Sequence, residues 1–238
     1  WSSCSPDFGI QGVVDRFGQI EPKIFVACDG YWYNGKRQEV ADKLGPIVDQ
    51  IAPQAVVIVP LLGQADAIAD GVGKAVTQDR FIADYEAREL TFERVPFSHP
   101  LYILFSSGTT GIPKCIVHSA GGTLLQHLKE HMLHGDVRPG DKLMWYSNAA
   151  WMMYHWMVSA LACDAVIGLY DGAPIVKTEH GVDCGPLWRM VETSGDWSTK
   201  NARPQLWPPS GWPRLRPWRS ASTLVPSPFG GRRAKRAS

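Results

Sequence analysis

The chain has 238 residues, 45% of them hydrophobic and 20% charged, with a formal net charge of +1. That length and composition fit one well-buried globular core, or at most two small domains. No apolar run approaches the ~18 residues of a membrane span, and the start Trp1-Ser2-Ser3-Cys4 lacks the basic and apolar zones of a signal peptide.

The five cysteines, Cys4, Cys28, Cys115, Cys163 and Cys184, are widely spaced and include no Cys-x-x-Cys pair. That pattern suits free thiols in a reducing compartment better than a disulfide framework, so a cytoplasmic location is expected. The first residue is Trp1 rather than Met, which suggests a stretch taken from the middle of a longer protein.

In chain order, strands and helices alternate. Ile24 to Cys28 and Ala55 to Val59 are short, β-branched apolar runs. Between them, Gln38 to Ile51 carries Val40, Leu44, Ile47, Val48 and Ile51 at helical spacing, and the three segments read as a βαβ unit. Leu101 to Phe105 reads as a buried strand and Cys115 to His118 as its partner. Gly122 to His134 reads as a helix with Leu124, Leu125, Leu128, Met132 and Leu133 inward. The Arg138-Pro139-Gly140-Asp141 turn leads into a strand over Lys142 to Tyr146, followed by an apolar helix over Trp151 to Leu161. A last buried strand is expected over Ala165 to Tyr170. The fold class this predicts is α/β, a mostly parallel sheet covered by helices on both faces.

Beyond residue 192 the character changes. From Gly195 to Ser238 there are seven prolines, four tryptophans and nine Lys or Arg against the single acid Asp196. No helical or alternating period runs through it. Residues 193–238 are therefore expected to form a Pro/Trp/Arg-rich tail that does not fold on its own, and a frameshift would produce such a composition. Its arginines and tryptophans could bind single-stranded nucleic acid by charge and stacking, but no nucleic-acid fold surrounds them.

The strand at Leu101 to Phe105 runs into Ser106-Ser107-Gly108-Thr109-Thr110-Gly111-Ile112-Pro113-Lys114. Two glycines let the backbone approach a polyanion, four hydroxyls supply donors and Lys114 supplies a charge, which together suit phosphate binding. The spacing is not that of a Walker A loop, because Pro113 stands where the second glycine would be and Cys115 follows the lysine. The bland alternative is a polar surface connection. His127, His131 and His134 recur at helical spacing and could gather a metal, but no carboxylate motif accompanies them, so a solvated helix face is the better reading and no metal site is assigned. His118 reads as a half-buried strand-end imidazole without a role.

The nine-residue run from Ser106 to Lys114 resembles the phosphate-binding signature of the acyl-adenylate-forming superfamily. Further blocks resemble its acetoacetate:CoA ligases: Ser2 to Gly9, Asp15 to Lys23, Tyr33-Asn34-Gly35-Lys36, Ile116-Val117-His118 with Gly121-Gly122, Trp151-Met152-Met153, and Leu169 to Pro174. This resemblance covers residues 1–192 and implies a partial N-terminal AMP-binding domain of the adenylate-forming fold. It implies ATP, Mg²⁺ and coenzyme A as substrates or cofactors, and acetoacetate as the acid activated through an acyl-adenylate. By the same resemblance, Ser106, Ser107, Gly108, Thr109, Thr110, Gly111 and Lys114 close over the β- and γ-phosphates, while Trp151 and Met152 line the acyl or coenzyme pocket, with Met153 expected in the core.

Two features depart from the pattern. Ser147-Asn148-Ala149-Ala150 replaces a Thr-rich stretch ending in Gly, and Cys115 replaces a small residue or Pro. The later Tyr-Gly-x-Thr-Glu motif and the adenylation lysine of the family do not occur in this sequence, so no catalytic residue is assigned and the chain alone is expected to be inactive. Alternatives are an acetyl- or propionyl-CoA ligase, or a noncatalytic nucleotide-binding remnant. The partners implied are the small-molecule substrates, with no membrane.

Overall fold

The computed structural model describes residues 1–106, 111–179, 181–193 and 205–206. Most of the region from 194 onward, with its tail expectations, lies outside the described residues.

Helix α1 (Ile10–Phe17) buries Val13 and Phe17, four residues apart, as an amphipathic helix must. It stops at Gly18, where a Cβ would stand 2.7 Å from the Val14 carbonyl oxygen. Strand β1 (Ile24–Cys28) follows, then a hairpin of β2 (Gly30–Tyr33) and β3 (Lys36–Glu39). Asn34 and Gly35 both have positive φ, 50° and 71°, which makes the two-residue turn favoured between antiparallel strands. This corrects the helix expected from Gln38: Gln38 and Glu39 belong to β3, and helix α2 spans Ala41–Ile51. The Asn-Gly turn outweighs the helical period at that boundary.

The apolar stripe of α2, Leu44, Ile47, Val48 and Ile51, is buried as expected. Strand β4 (Ala55–Val59) pairs in parallel with β1 from Ile24↔Ala55 to Cys28↔Val59. After α3 (Ala65–Gly71), strand β5 (Ala75–Thr77) joins β4 in parallel, and α4 (Gln78–Ile82) ends this half. The sheet order is β1-β4-β5, and its core gathers Phe25, Val56, Ile58, Leu44, Ile47 and Ile68. Cover is one-sided at β1, where Ile24 and Val26 are each 52% exposed.

Residues 83–99 run exposed. Strands β6 (Pro100–Phe105) and β7 (Cys115–Ser119) then pair antiparallel. Only alternate residues of β6, Tyr102 and Leu104, are buried, so it packs one face where a fully buried strand was expected. Helix α5 (Ala120–Leu128) continues as a π turn over Lys129–His134. Next come β8 (Lys142–Met144), α6 (Met152–Ser159), a 3₁₀ turn over Ala160–Cys163, and β9 (Val166–Ile167), so the expected strands at 142–146 and 165–170 are shorter than the pattern implied. A second core of Val137, Leu143, Met157, Ala160 and Ala165 forms here. The small hairpin of β10 (Val176–Thr178) and β11 (Gly181–Asp183) and helix α7 (Pro186–Thr193) follow, and β12 (Gln205–Leu206) pairs in parallel with β8. The α/β class expected from the alternation is the one observed.

The helix over Ala120–His134 faces the opposite way from its leucines. Leu124, Leu125 and Leu133 are 50%, 66% and 74% exposed, and Met132 is exposed too, while Thr123, His127 and His131 line the buried face. The solvated histidine face is thereby corrected for His127 and His131. His131 Nε2 lies 2.8 Å from the Trp156 carbonyl and 3.0 Å from Ser159 Oγ, and its ring packs 4.4 Å from Trp156, whereas the buried Nδ1 atoms of His127 and His131 have no hydrogen-bond partner among the described residues.

Asp29, fully buried at the end of β1, fixes the loop after β4. Its Oδ1 accepts the N–H groups of Leu61 (2.7 Å) and Leu62 (2.9 Å), and its Oδ2 that of Gln64 (2.7 Å). Burial pushes the carboxyl upward, but those backbone donors together hold it below the ordinary carboxylate range. Gly30 is required beside it, because φ is +139° and a Cβ would stand 2.5 Å from Leu62 Cδ1.

Replacing Asp29→Ala strands three amides and is expected to cost about 3 kcal/mol or more, read as a lower urea midpoint, with Asp29→Asn recovering part of it. Acid acts through the histidines. Burial, then the neighbours His131, His118 and His155, lower His127 to about 4, and burial also lowers His131. The native state therefore binds fewer protons than the unfolded chain below the ordinary imidazole value, so stability should be full above about pH 6.5 and fall towards pH 4, by on the order of 3 kcal/mol. Urea midpoints measured across that range check the sign and the window.

Candidate functional site

The run expected to bind phosphate starts where β6 and β7 part. After the pair Phe105↔Cys115, the Ser106 N–H donates to the Lys114 carbonyl (3.0 Å) and the Lys114 N–H donates to Ser106 Oγ (2.9 Å). Two crossed bonds thus close a neck at the first and last residues of the signature. Gly111 has φ +145°, a conformation that favours glycine. Pro113 is buried and Lys114 is exposed, which leaves the lysine free to meet an anion. Ser107, Gly108, Thr109 and Thr110 lie outside the described residues.

Helix α1 lies beneath the neck. Phe17 packs 6.5 Å from Phe105, and the Arg16 guanidinium sits 4.5 Å from the Phe8 ring and 6.0 Å from that of Phe105. Gln19, just past the helix end, donates from Nε2 to the Pro113 carbonyl (2.8 Å), and its Oε1 faces the Cys115 thiol at 3.6 Å.

Tyr102, in the middle of β6, links the neck to the second candidate region. Its ring stacks on His155 of α6 at 4.3 Å and lies 5.0 Å from His118 of β7. His155 Nε2 is 3.1 Å from the Ala149 carbonyl, which also accepts the Ser3 hydroxyl. Ser2 Oγ donates to the Ile103 carbonyl (2.7 Å), so the N-terminal segment straps β6 to the turn before Trp151. In that turn Asn148 Oδ1 accepts the Ala150 N–H (3.0 Å), and the Asn148 carbonyl accepts that of Trp151 (3.0 Å). Asn148 to Trp151 therefore form a self-bonded turn just ahead of α6.

Trp151 is 64% and Met152 47% exposed, so both stand clear of the core, whereas Met153 is half-buried and Met157 takes the core position. The Leu169 to Pro174 block forms a turn closed by Tyr170 Oη donating to the Ala173 carbonyl (3.2 Å). Burial lowers His118 and His155, which keeps both imidazoles neutral near pH 7. Half-buried His118 thus matches its expected place, and Lys114 carries the positive charge of this hairpin.

A separate crevice of about 670 Å³ opens between the N-terminal segment, β1 and α2, lined among others by Cys4, Phe25, Lys43, Leu44 and Ile103. Burial raises the Cys4 thiol to about 11, so it stays protonated there and is no nucleophile. Among the described residues no three His, Cys, Asp or Glu side chains gather as a metal site.

The structure places Ser106, Gly111 and Lys114 on one loop and brings Gln19, Tyr102 and His155, which the sequence did not single out, around its base. Gln19 stands inside the recognised block from Asp15 to Lys23, which was a signal for it. Tyr102 had only its place in an alternating strand.

The AMP-binding enzyme family matches residues 2–188. The acetoacetyl-coenzyme A synthetase of Rhizobium meliloti (strain 1021) is 59% identical over 174 residues, 73% of this chain and 27% of that protein. The acetoacetyl-CoA synthetase of Mus musculus is 48% identical over 200 residues, 82% of this chain and 29% of its own length. Among solved structures, the acetoacetyl-CoA synthetase from Streptomyces lividans superposes with a TM-score of 0.66 at 42% identity, covering 73% of this chain and 26% of that one. The chain thus spans less than a third of the length of the relatives it matches.

If Tyr102 joins the hairpin to α6, Tyr102→Ala should cost about 3 kcal/mol, whereas Tyr102→Phe, which keeps the stacked ring, should stay within about 1 kcal/mol. Urea titration of the two variants separates them.

Proposed function

The chain belongs to the AMP-binding enzyme family, and on that premise we propose that it supplies the phosphate grip of an acetoacetate:CoA ligase. The reaction joins two anions, since a carboxylate must attack the α-phosphorus of ATP while pyrophosphate leaves. Donors and cations aimed at the departing phosphates lower that barrier. Mg²⁺ enters as part of the MgATP substrate. The adenylate's carbonyl is then attacked by the thiol of coenzyme A, which displaces AMP and leaves a thioester.

The observation that carries the proposal is the neck at Ser106 and Lys114. Its crossed bonds hold the lysine at a defined point at the loop's end, and the left-handed region at Gly111 keeps a side chain from that leg of the loop. In this reading Ser107, Gly108, Thr109 and Thr110 complete the donor set, Lys114 balances the β- and γ-phosphate charge, and the exposed indole of Trp151 with Met152 forms a wall of the acyl pocket. The choice of acetoacetate over acetate or propionate is supported by the acetoacetyl-CoA synthetases among the relatives. A reducing cytoplasm is the proposed setting, in keeping with five free thiols, and no helix among the described residues is long and apolar enough to cross a membrane.

Lys114→Ala is expected to weaken MgATP binding by about tenfold or more, a loss on the order of 1.5 kcal/mol, with Lys114→Arg intermediate because charge persists but shape changes. Isothermal titration of the chain and both variants at fixed ionic strength is the test, and equal affinities would remove the lysine from the site. Pyrophosphate release from MgATP and acetoacetate by the chain alone is expected to remain at background.

A further inference from the structure

The neck at Ser106 and Lys114 is closed from within the hairpin, but those bonds do not determine where the hairpin's end sits relative to the rest of the domain. Gln19 does. Its Nε2 faces two carbonyls, those of Asp15 on α1 and Pro113 on the loop. Carbonyls only accept, so the amide nitrogen must point to them, and Oε1 is left to accept from the Cys115 thiol. One side chain thereby grips the residues on both sides of Lys114. Its other end is fixed, because α1 is rooted in the core through Val13 and Phe17, and the Gln19 N–H itself donates to the Arg16 carbonyl (3.1 Å).

We propose that Gln19 is a positioning residue for phosphate binding: by bonding Pro113 and Cys115 it sets the place and direction of Lys114. The proposal rests on the phosphate-binding reading of the loop. The Pro113 bond anchors main chain just outside a strand whose ladder stops at Cys115, the Cys115 bond holds a side chain beside it, and nothing else described ties the Pro113 carbonyl down. Losing these bonds removes the hairpin end's tie to the segment after α1, leaving the neck to Ser106 as the remaining hold on the lysine, without touching the buried core, since Gln19 is itself an exposed residue. The expected signature is weaker anion binding at unchanged fold stability, which a packing role would not produce.

The test compares the full chain with Gln19→Met, which keeps length and removes both hydrogen-bonding groups without adding charge. Gln11→Met on the same helix is the control, as Gln11 bonds only the Asp15 carboxylate among the described contacts. Inorganic tripolyphosphate is the probe, titrated calorimetrically, and amide exchange is read at Lys114. Gln19→Met should weaken binding about five- to tenfold and raise Lys114 exchange several-fold, with a thermal midpoint within about 2 °C of the parent, while Gln11→Met matches the parent. Unchanged affinity or unchanged Lys114 exchange in Gln19→Met, with the parent binding normally, overturns the positioning role alone. Failure of the parent chain to bind tripolyphosphate overturns the phosphate reading and this inference with it.

Discussion

One aromatic ring joins the β6–β7 hairpin to helix α6. Tyr102 lies between His118 on the neighbouring strand and His155 on α6, and through them the hairpin that carries the loop is coupled to the turn that presents Trp151. Stacked rings suit that task. They bury a large apolar area while the imidazole edges still reach backbone carbonyls, as His155 does at Ala149. A two-stranded hairpin has little stability of its own, so the geometry of the loop depends on what its middle residue packs against.

The same economy is visible in the first half of the chain, where a parallel pair of strands is secured by one buried carboxylate. The three amides that Asp29 collects belong to the turn following β4, so the charge ties the ends of two neighbouring strands together. Buried ions are tolerated only when fully bonded, and this one is. In both halves a polar group inside the protein, Asp29 in one and His131 in the other, fixes an arrangement that apolar packing alone would leave open to sliding.

Legibility in the sequence followed the strength of the local signal. The β1 and β4 segments could be read as short β-branched apolar runs and α2 by its helical period. The connection from Ser106 to Lys114 could be read as a loop because Ser, Thr, Gly and Pro crowd it between two apolar runs, whereas its proposed phosphate role came from the resemblance of the whole nine-residue string. The α5 helix could not. Its leucines outnumber its histidines, and the rule that apolar side chains go inward fails where His131, in the turn that continues it, finds carbonyl and ring partners at Trp156 of α6, 25 residues later. At Asn34-Gly35 two local signals compete, and the two-residue turn wins over the helical period that would begin at Gln38. Gln19 belongs to a third kind: its block was recognisable by resemblance, but bonds reaching 94 and 96 residues along the chain leave no periodicity that singles out the amide itself.

The outer side of β7 has a practical bearing of its own. Ile116 and Val117 are 49% and 58% exposed, and among the described residues that strand is bonded to β6 alone. Such an open ladder is a template on which a second molecule can pair main chain to main chain. Solubility partners, low concentrations and a lysine introduced on that strand are the natural means of keeping the protein monodisperse.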